Sequence, residues 1–491
     1  MRAGTFGCGA IFALLLLAVL PAAASPWAEV GDNQLRSDLD LLNASGVIRE
    51  VTIQWPLPWQ SIRARLDNSN LAAQSPAVRA AASRLLALAR AGTASGVSGG
   101  FYLDATNRPG LVYGFDGMGR GDGQAQLSLG LNSGIFSGRV SLGAISRDFS
   151  GKSTKLMPDG TYLAARLGGA LVYAGYLDHW WGPGQISTLQ LSNNARPMPQ
   201  VGIQRSSTAA SSWPVLRWLG PWQFEFFVSA FDGQQIQSDV YYNAARLSIS
   251  PLPGLELAAS KTEQFCGQGH PCSPLRDYFT NFDFSNHPDN VNGEGSFEFK
   301  YSGAAAGVPF QVYGQLMNED YSFASSSGSN YLAGASLFVP TGANPVKLTV
   351  EYADTVATRT MFGFDNHIYG YTYNNGQYPD GMRYRGRTLG FSLDNDATLL
   401  SVMGGWSDGG GRYYQLSLHH ATLMTPRTPP NSNILTTQRV LLNQAEARIS
   451  LPLTLDGRGF KLDLAGRLQD DQPRPHKGFA AAVEVALRAP L

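Results

Sequence analysis

Charge is scarce in this chain. Asp, Glu, Lys and Arg together make up 15% of 491 residues, where a soluble globular protein carries about a quarter. The 37 basic and 37 acidic residues cancel, so no long-range field draws nucleic acid or anionic lipid. Disorder is excluded from the other side, because aromatics reach 11% and supply apolar surface to bury. Past the first 25 residues, no stretch approaches the roughly 18 apolar residues of a transmembrane helix. The seven histidines form no HExxH or other metal-ligand spacing, so no metal or other cofactor is expected. Acidic residues such as Asp277, Asp283 and Asp289 are common in loop-like stretches, but spacing alone cannot pair them at a glycosidase separation.

The N-terminus has the form of a secretory signal. Arg2 precedes an apolar run from Ile11 to Leu20, and Ala22-Ala23-Ala24 offers small residues for cleavage before Ser25. Residues 1–24 are therefore expected to be removed on export, taking Cys8 with them. Cys266 and Cys272 remain, in a turn-rich segment and an oxidising compartment, where pairing is expected. His270 lies between them, but one His and two Cys make an incomplete metal set, so a disulfide is favoured.

Residues 25–96 read as a small helical unit. Asp32 can cap a helix bearing Leu35, Leu39 and Leu42, with Gly46 at its end. Trp55-Pro56-Leu57-Pro58-Trp59 interrupts, then a short helix carries Ile62 and Leu66. Ser75-Pro76 starts a third helix with Val78, Ala82, Leu85 and Ala89 on one face, which Gly92 is expected to stop.

From about residue 97 to the end the period is two. Leu127, Leu129 and Leu131 alternate with Ser128 and Gly130, and Phe224 and Phe226 flank Glu225. Val346, Leu348, Val350 and Tyr352 alternate with Lys347, Thr349 and Glu351, and Phe479 to Leu487 repeats the pattern near the end. Short connections are expected at 251–254, 341–344 and 394–396, with long ones at 178–222, 261–293, 354–386 and 419–440. Alternating short and long connections suit an outer-membrane barrel with short periplasmic turns. A soluble propeller would show a repeat of about 40–50 residues, and none is present. At roughly ten residues per membrane strand plus connections, about 16–18 strands fit. The fold class is all-β: a large antiparallel transmembrane barrel with a small helical segment at its periplasmic end. One detail departs from the usual pattern, since the chain ends Arg488-Ala489-Pro490-Leu491 without a terminal aromatic residue.

Two catalytic-looking motifs fail on context. Gly96-Val97-Ser98-Gly99-Gly100 spells GxSxG, but that turn needs a strand before the Ser and a helix after it. Gly151-Lys152-Ser153 lacks the earlier Gly of a phosphate loop, where Ser146 stands. No enzyme is expected.

Two segments carry recognition chemistry. In 178–197, Trp180 and Trp181 stand beside Gly182-Pro183-Gly184, followed by Asn193, Asn194 and Arg196. Flat apolar faces with directed amides and a guanidinium suit sugar rings. The competing reading, which ranks ahead, is an aromatic girdle with buried polar residues that order the barrel interior. The second segment, 369–384, offers Tyr371, Tyr373, Tyr378 and Arg383 for recognition, or else packs on itself.

At these residues the chain resembles the capsule assembly Wzi family. The likeness begins at Gly31-Asp32-Asn33-Gln34-Leu35-Arg36-Ser37-Asp38-Leu39 and runs through Gly46-Val47-Ile48 and Trp55-Pro56-Leu57. It is most specific where Trp180-Trp181-Gly182-Pro183-Gly184 precedes Leu191-Ser192-Asn193-Asn194-Ala195-Arg196. The resemblance implies a Gram-negative outer-membrane barrel of about eighteen strands, with helices closing the periplasmic mouth. It also implies a lectin-like role in binding and organising capsular or exported polysaccharide at the cell surface. Polysaccharide and outer-membrane lipid are the expected partners, the export machinery a further one, and nucleic acid none. A channel for oligosaccharides or small solutes is the alternative.

Overall fold

The computed structural model describes residues 25–490 apart from 232–234, 271, 273–290, 320–327, 342–343, 362, 456–457 and 473–478. The expected signal segment, residues 1–24, lies outside the described residues, as do Asp277, Asp283 and Asp289.

The N-terminal unit forms helices α1 (Asn33–Ala44), α2 (Trp59–Asp67) and α3 (Pro76–Thr93). Asp32 caps α1, its carboxylate accepting from the Leu35 N–H at 3.0 Å. Ser75 caps α3 by accepting from the Val78 N–H at 3.3 Å, with Pro76 in the first turn. Leu35, Leu39, Leu42, Ile62, Leu66, Val78, Ala82, Leu85 and Ala89 share one apolar core. Gly92 does not stop α3 but lies within it. A Cβ there would sit 2.4 Å from Trp59 Cδ1, so the glycine is needed for close approach of the two helices.

The remainder is a closed antiparallel barrel. Its strands β1 to β6 are Gly96–Thr106, Gly121–Asn132, Phe136–Asp148, the interrupted pair Thr154–Met157 and Tyr162–Leu167, Ala170–Tyr176, and Pro199–Arg205. Strands β7 to β12 are Trp222–Ala230, Val240–Leu252, Leu255–Cys266, Asn292–Ala305, Val308–Glu319 and Ser329–Val339. Strands β13 to β18 are Val346–Thr358, Ala397–Ser407, Tyr413–Leu423, Val440–Leu455, Arg458–Gln472 and Ala480–Pro490. With the interrupted pair counted once, eighteen strands run up and down in sequence order among the described residues. The last strand closes on the first in the register Glu484↔Thr106 to Pro490↔Gly100. Closure leaves no unpaired strand edge, a requirement for backbone that crosses a membrane.

The period-two pattern is turned inside out relative to a soluble protein. Leu127, Leu129, Leu131, Val140, Phe224, Phe299, Val350, Val402 and Leu418 face outward and are exposed. Inward positions hold buried polar groups such as Gln223, Glu225, Arg246, Glu298, Lys300, Thr349 and Glu351. Such an exterior is stable only against hydrocarbon, and such an interior only when its polar groups find partners.

Connections differ at the two ends. One end has tight turns, such as Pro253–Gly254 and Ala306–Gly307, together with both chain ends of the barrel. The other carries long connections, including 177–198, 359–396 and 424–439. Two expected boundaries change. Residues 178–222 are not one loop, because β6 divides them into a stretch that enters the barrel and another at the opposite end. Asp394-Asn395-Asp396 is not a tight hairpin turn but the buried last part of connection 359–396. There Asp394 serves as a hydrogen-bond hub, and the hub places these polar residues inside rather than at a turn. The GxSxG serine, Ser98, is buried within β1 and not on a turn. Of the stretch expected to turn at 341–344, residues 342–343 lie outside the described set.

Candidate functional site

The lumen is filled from both ends. From the short-turn side, α1 and residues 49–58 enter and bond to the wall. Asp40 accepts from Lys300 Nζ at 2.5 Å and Lys347 Nζ at 2.6 Å, all three side chains being nearly inaccessible. Glu256 accepts from the Thr52 N–H at 2.6 Å and its hydroxyl at 2.9 Å. Arg246, paired with Glu298 on the wall, donates to the Ile53 carbonyl at 2.8 Å.

From the long-loop side, residues 177–198 descend to meet this unit. Trp180 and Trp181 pair antiparallel with Trp55 and Gln54, a ladder in the middle of the barrel. Both Trp rings are fully buried. Trp180 packs edge-on against Phe115 at 5.6 Å, and Trp181 against Phe227 at 5.7 Å. The Gly-Pro-Gly turn lets the backbone double back, so that the N–H groups of Gln185, Ile186 and Ser187 converge on the Glu351 carboxylate at 2.6 to 3.3 Å. Asn193 donates to the Phe115 carbonyl and Asn194 to the Thr388 carbonyl, at 3.2 and 2.8 Å. Arg196 grips Asp159 through two bonds of 2.9 and 2.7 Å. All five residues singled out in this segment are thus buried in the barrel, with the Trp180 N–H, both amide NH2 groups and the Arg196 guanidinium bonded there. Aromatic faces flanked by glycine and proline are as useful for dense internal packing as for a sugar, and burial took them.

Connection 359–396 lies over this plug. The Tyr373 hydroxyl donates to the Leu189 carbonyl, tying the lid to the descending segment. Arg383 binds Asp394 through Nε and Nη2, both at 2.9 Å, and donates to Asn374 Oδ1 at 2.8 Å. Asp394 also accepts from Thr388 Oγ1 and the Ile434 N–H, each at 2.7 Å. Burial raises the Asp396 carboxyl above its ordinary range, opposed by bonds from Thr428 and the Gly370 N–H. Tyr378 is buried, stacks on His270 at 5.2 Å and donates to the Cys266 carbonyl at 3.0 Å. Cys266 and Cys272 are joined by a disulfide with Cα atoms 4.6 Å apart.

Of the four residues expected to recognise ligand here, Tyr373, Tyr378 and Arg383 are therefore internal. Tyr371 is half-buried and reaches an open depression of about 240 Å³ at the outer surface. Glu319, Gly370, Asn374, Asn375 and Gly376 complete its lining. The depression combines one aromatic ring with two planar amides and a carboxylate that are already bonded within the protein. Glu319 is buried and accepts from the Tyr373 N–H at 2.6 Å, and Asn374 and Asn375 bond to neighbouring residues. The half-buried Tyr371 ring is therefore the main face offered to a ligand. Glu319 was not legible beforehand, because it is the last residue of a strand whose pattern gives no reason to single it out.

A closed barrel with an apolar outer band, tight turns at one end and long loops at the other is an integral outer-membrane protein. Among the described residues, the N-terminal unit and residues 177–198 occupy its lumen. The family model for capsule assembly protein Wzi matches residues 100–453, and the chain belongs to that family. A protein of Klebsiella pneumoniae, known as an uncharacterized 55.8 kDa protein in the cps region, is 30% identical over 338 residues. That match takes in 66% of this chain and 65% of the relative's length. Among solved structures, the chain is similar to Wzi of Escherichia coli, an outer membrane protein involved in group 1 capsule assembly and a carbohydrate-binding β-barrel. The TM-score is 0.81 at 22% identity, covering 94% of this chain and 99% of the other.

Proposed function

We propose that the protein is a non-enzymatic, lectin-like component of capsule assembly that binds exported polysaccharide on the cell surface through its long-loop face. The observation that carries this reading is the doubly filled lumen. With 177–198 and the N-terminal unit meeting at the Trp55–Trp180 ladder, the surface left for a partner is the loop face. Carbohydrate binding by the similar Escherichia coli barrel supports the same reading. On that face we assign the first sugar contact to the depression around Tyr371, Asn374 and Asn375. One shallow subsite binds weakly, so retention of a polymer depends on many repeats engaging many copies of the barrel. The internal residues, Trp180, Trp181, Asn193, Asn194, Arg196, Tyr373, Tyr378 and Arg383, hold the face in shape. The N-terminal unit closes the periplasmic mouth.

The test compares cell-attached with released polysaccharide in the host, for a gene deletion and for Tyr371→Ala. The expected result is unchanged total polymer with a smaller attached fraction in both strains. Unchanged attachment together with reduced uptake of a small solute would replace this reading with a channel.

A further inference from the structure

Among the described residues, the connections at the short-turn end are tight, with one marked departure. Between β6 and β7 the chain runs from residue 206 to 221 before re-entering the barrel. This segment exposes Trp213 (62%), Val215 (62%) and Trp218 (63%), large apolar side chains set within a few residues of each other. It has no acidic residue and a single cation, Arg217. The segment is also well built. The N–H groups of Leu216 and Arg217 both donate to the Trp213 carbonyl at 3.0 Å, forming a compact turn. Leu219 is buried, and the root is closed by bonds from the Ser206 N–H to Gly169 and the Trp222 N–H to Thr208, each 2.9 Å. Thr208 in turn donates to the Glu50 carboxylate, and its N–H donates to Ser61 Oγ at 3.2 Å.

We propose that residues 209–218 form an anchor seated in the periplasmic leaflet of the outer membrane, with glycerophospholipid as the partner. The argument is continuity with the surface already assigned to lipid. The strands that carry the segment expose Val201, Ile203 and Phe224 outward, and Leu167 is exposed at the adjoining turn between β4 and β5. The segment thus prolongs an apolar wall beyond the strand ends, at the depth where headgroups begin. Tryptophan suits that depth, because its ring is apolar and its N–H reaches water or a headgroup. Cations flank the aromatic cluster: Arg217 is exposed, and the Arg205 guanidinium lies 3.6 Å over the Trp222 ring. Arg217 is placed to meet lipid phosphate, while Arg205 donates to the Trp222 and Ala209 carbonyls and braces the root of the segment. Because the root is bonded to Glu50 and to Ser61 of α2, the anchor fixes the plug as well as the barrel relative to the membrane.

The experiment uses the full barrel reconstituted in phosphatidylethanolamine–phosphatidylglycerol bilayers, with and without bromine near the headgroup end of the acyl chains. Emission of the Trp213→Phe, Trp218→Phe double variant is subtracted from that of the parent, which isolates these two rings from the other tryptophans. The expected difference signal is blue-shifted, falls to half or less in brominated bilayers, and resists aqueous iodide. Quenching by iodide and not by bromine would place the segment in periplasmic water, free for a protein partner, and overturn the proposal. Resistance to both quenchers would place the rings against protein and overturn it equally. Heat-modifiable migration checks that the variants are folded, and each single Trp→Phe variant gives the same subtraction if the double one is not. The outcome does not depend on polysaccharide binding, so either proposal can fail alone.

Discussion

Replacing Asp40 by Asn should loosen the plug without opening the barrel wall. Asp40 is the carboxylate between Lys300 and Lys347, and it also accepts from Gln185 Nε2 at 3.1 Å, so it joins helix, wall and descending segment. Asn preserves the shape but leaves two buried ammonium groups without their counter-charge. Stranding a buried charge costs about 3–5 kcal/mol. At 1.4 kcal/mol per decade, the population with α1 released should rise between about a hundredfold and a few thousandfold. Hydrogen exchange of residues 33–44 measures this directly, and planar-bilayer recording should show brief openings that the parent lacks. Exchanging Lys300 and Lys347 for Met in the same variant removes the stranded charges and should restore much of the protection. Acid should not mimic the mutation. Burial would raise the Asp40 carboxyl, but Lys300, Lys347 and Arg36 outweigh it and hold it well below the usual carboxylate range. A depressed native value means the contribution is present above the unfolded value of 3.8 and is lost only as pH falls through the native one. The latch should therefore hold at pH about 4, where ordinary carboxylates are half protonated. Equal exchange rates in Asp40→Asn and the parent would refute the reasoning.

Two further changes probe other joints. Gly92→Val drives a side chain into the Trp59 ring and should cost about 1–3 kcal/mol by overpacking. Its check is earlier thermal loss of helical circular dichroism with the β signal unchanged. Arg383→Lys cannot reproduce the two-point grip on Asp394 or the bond to Asn374, and should cost about 1.5–3 kcal/mol locally. Protease added to intact cells should then cut connection 359–396 faster, and equally slow cutting would mean the pair does not hold the lid.

Much of the architecture could be read from residue order, because it depends on local periodicity. Alternation such as Leu127-Ser128-Leu129-Gly130-Leu131 specifies a strand with two unlike faces, and its repetition with low charge specifies a barrel in lipid. The caps at Asp32 and Ser75 were legible for the same reason, since each bond spans only three residues. The family signature around Trp180-Trp181 was legible as a string of residues, though not as a place in the fold.

What the tertiary structure decided is which surfaces meet. Trp180 faces Trp55 across a separation of more than a hundred residues, and Asp40 is neutralised by lysines on two distant strands. Nothing in local pattern distinguishes an aromatic that will bind sugar from one that will be covered by another part of the chain. Burial of Tyr373 and exposure of the edge of Tyr371, two residues earlier in one loop, follow from what lies beneath each. Gly92 reads as a helix stop until Trp59 is seen against it. Residue order determines backbone conformation and the polarity of each face, since those are short-range properties. The occupancy of the lumen, and hence the face left for a partner, is set by long-range packing, which exists only once the barrel has closed.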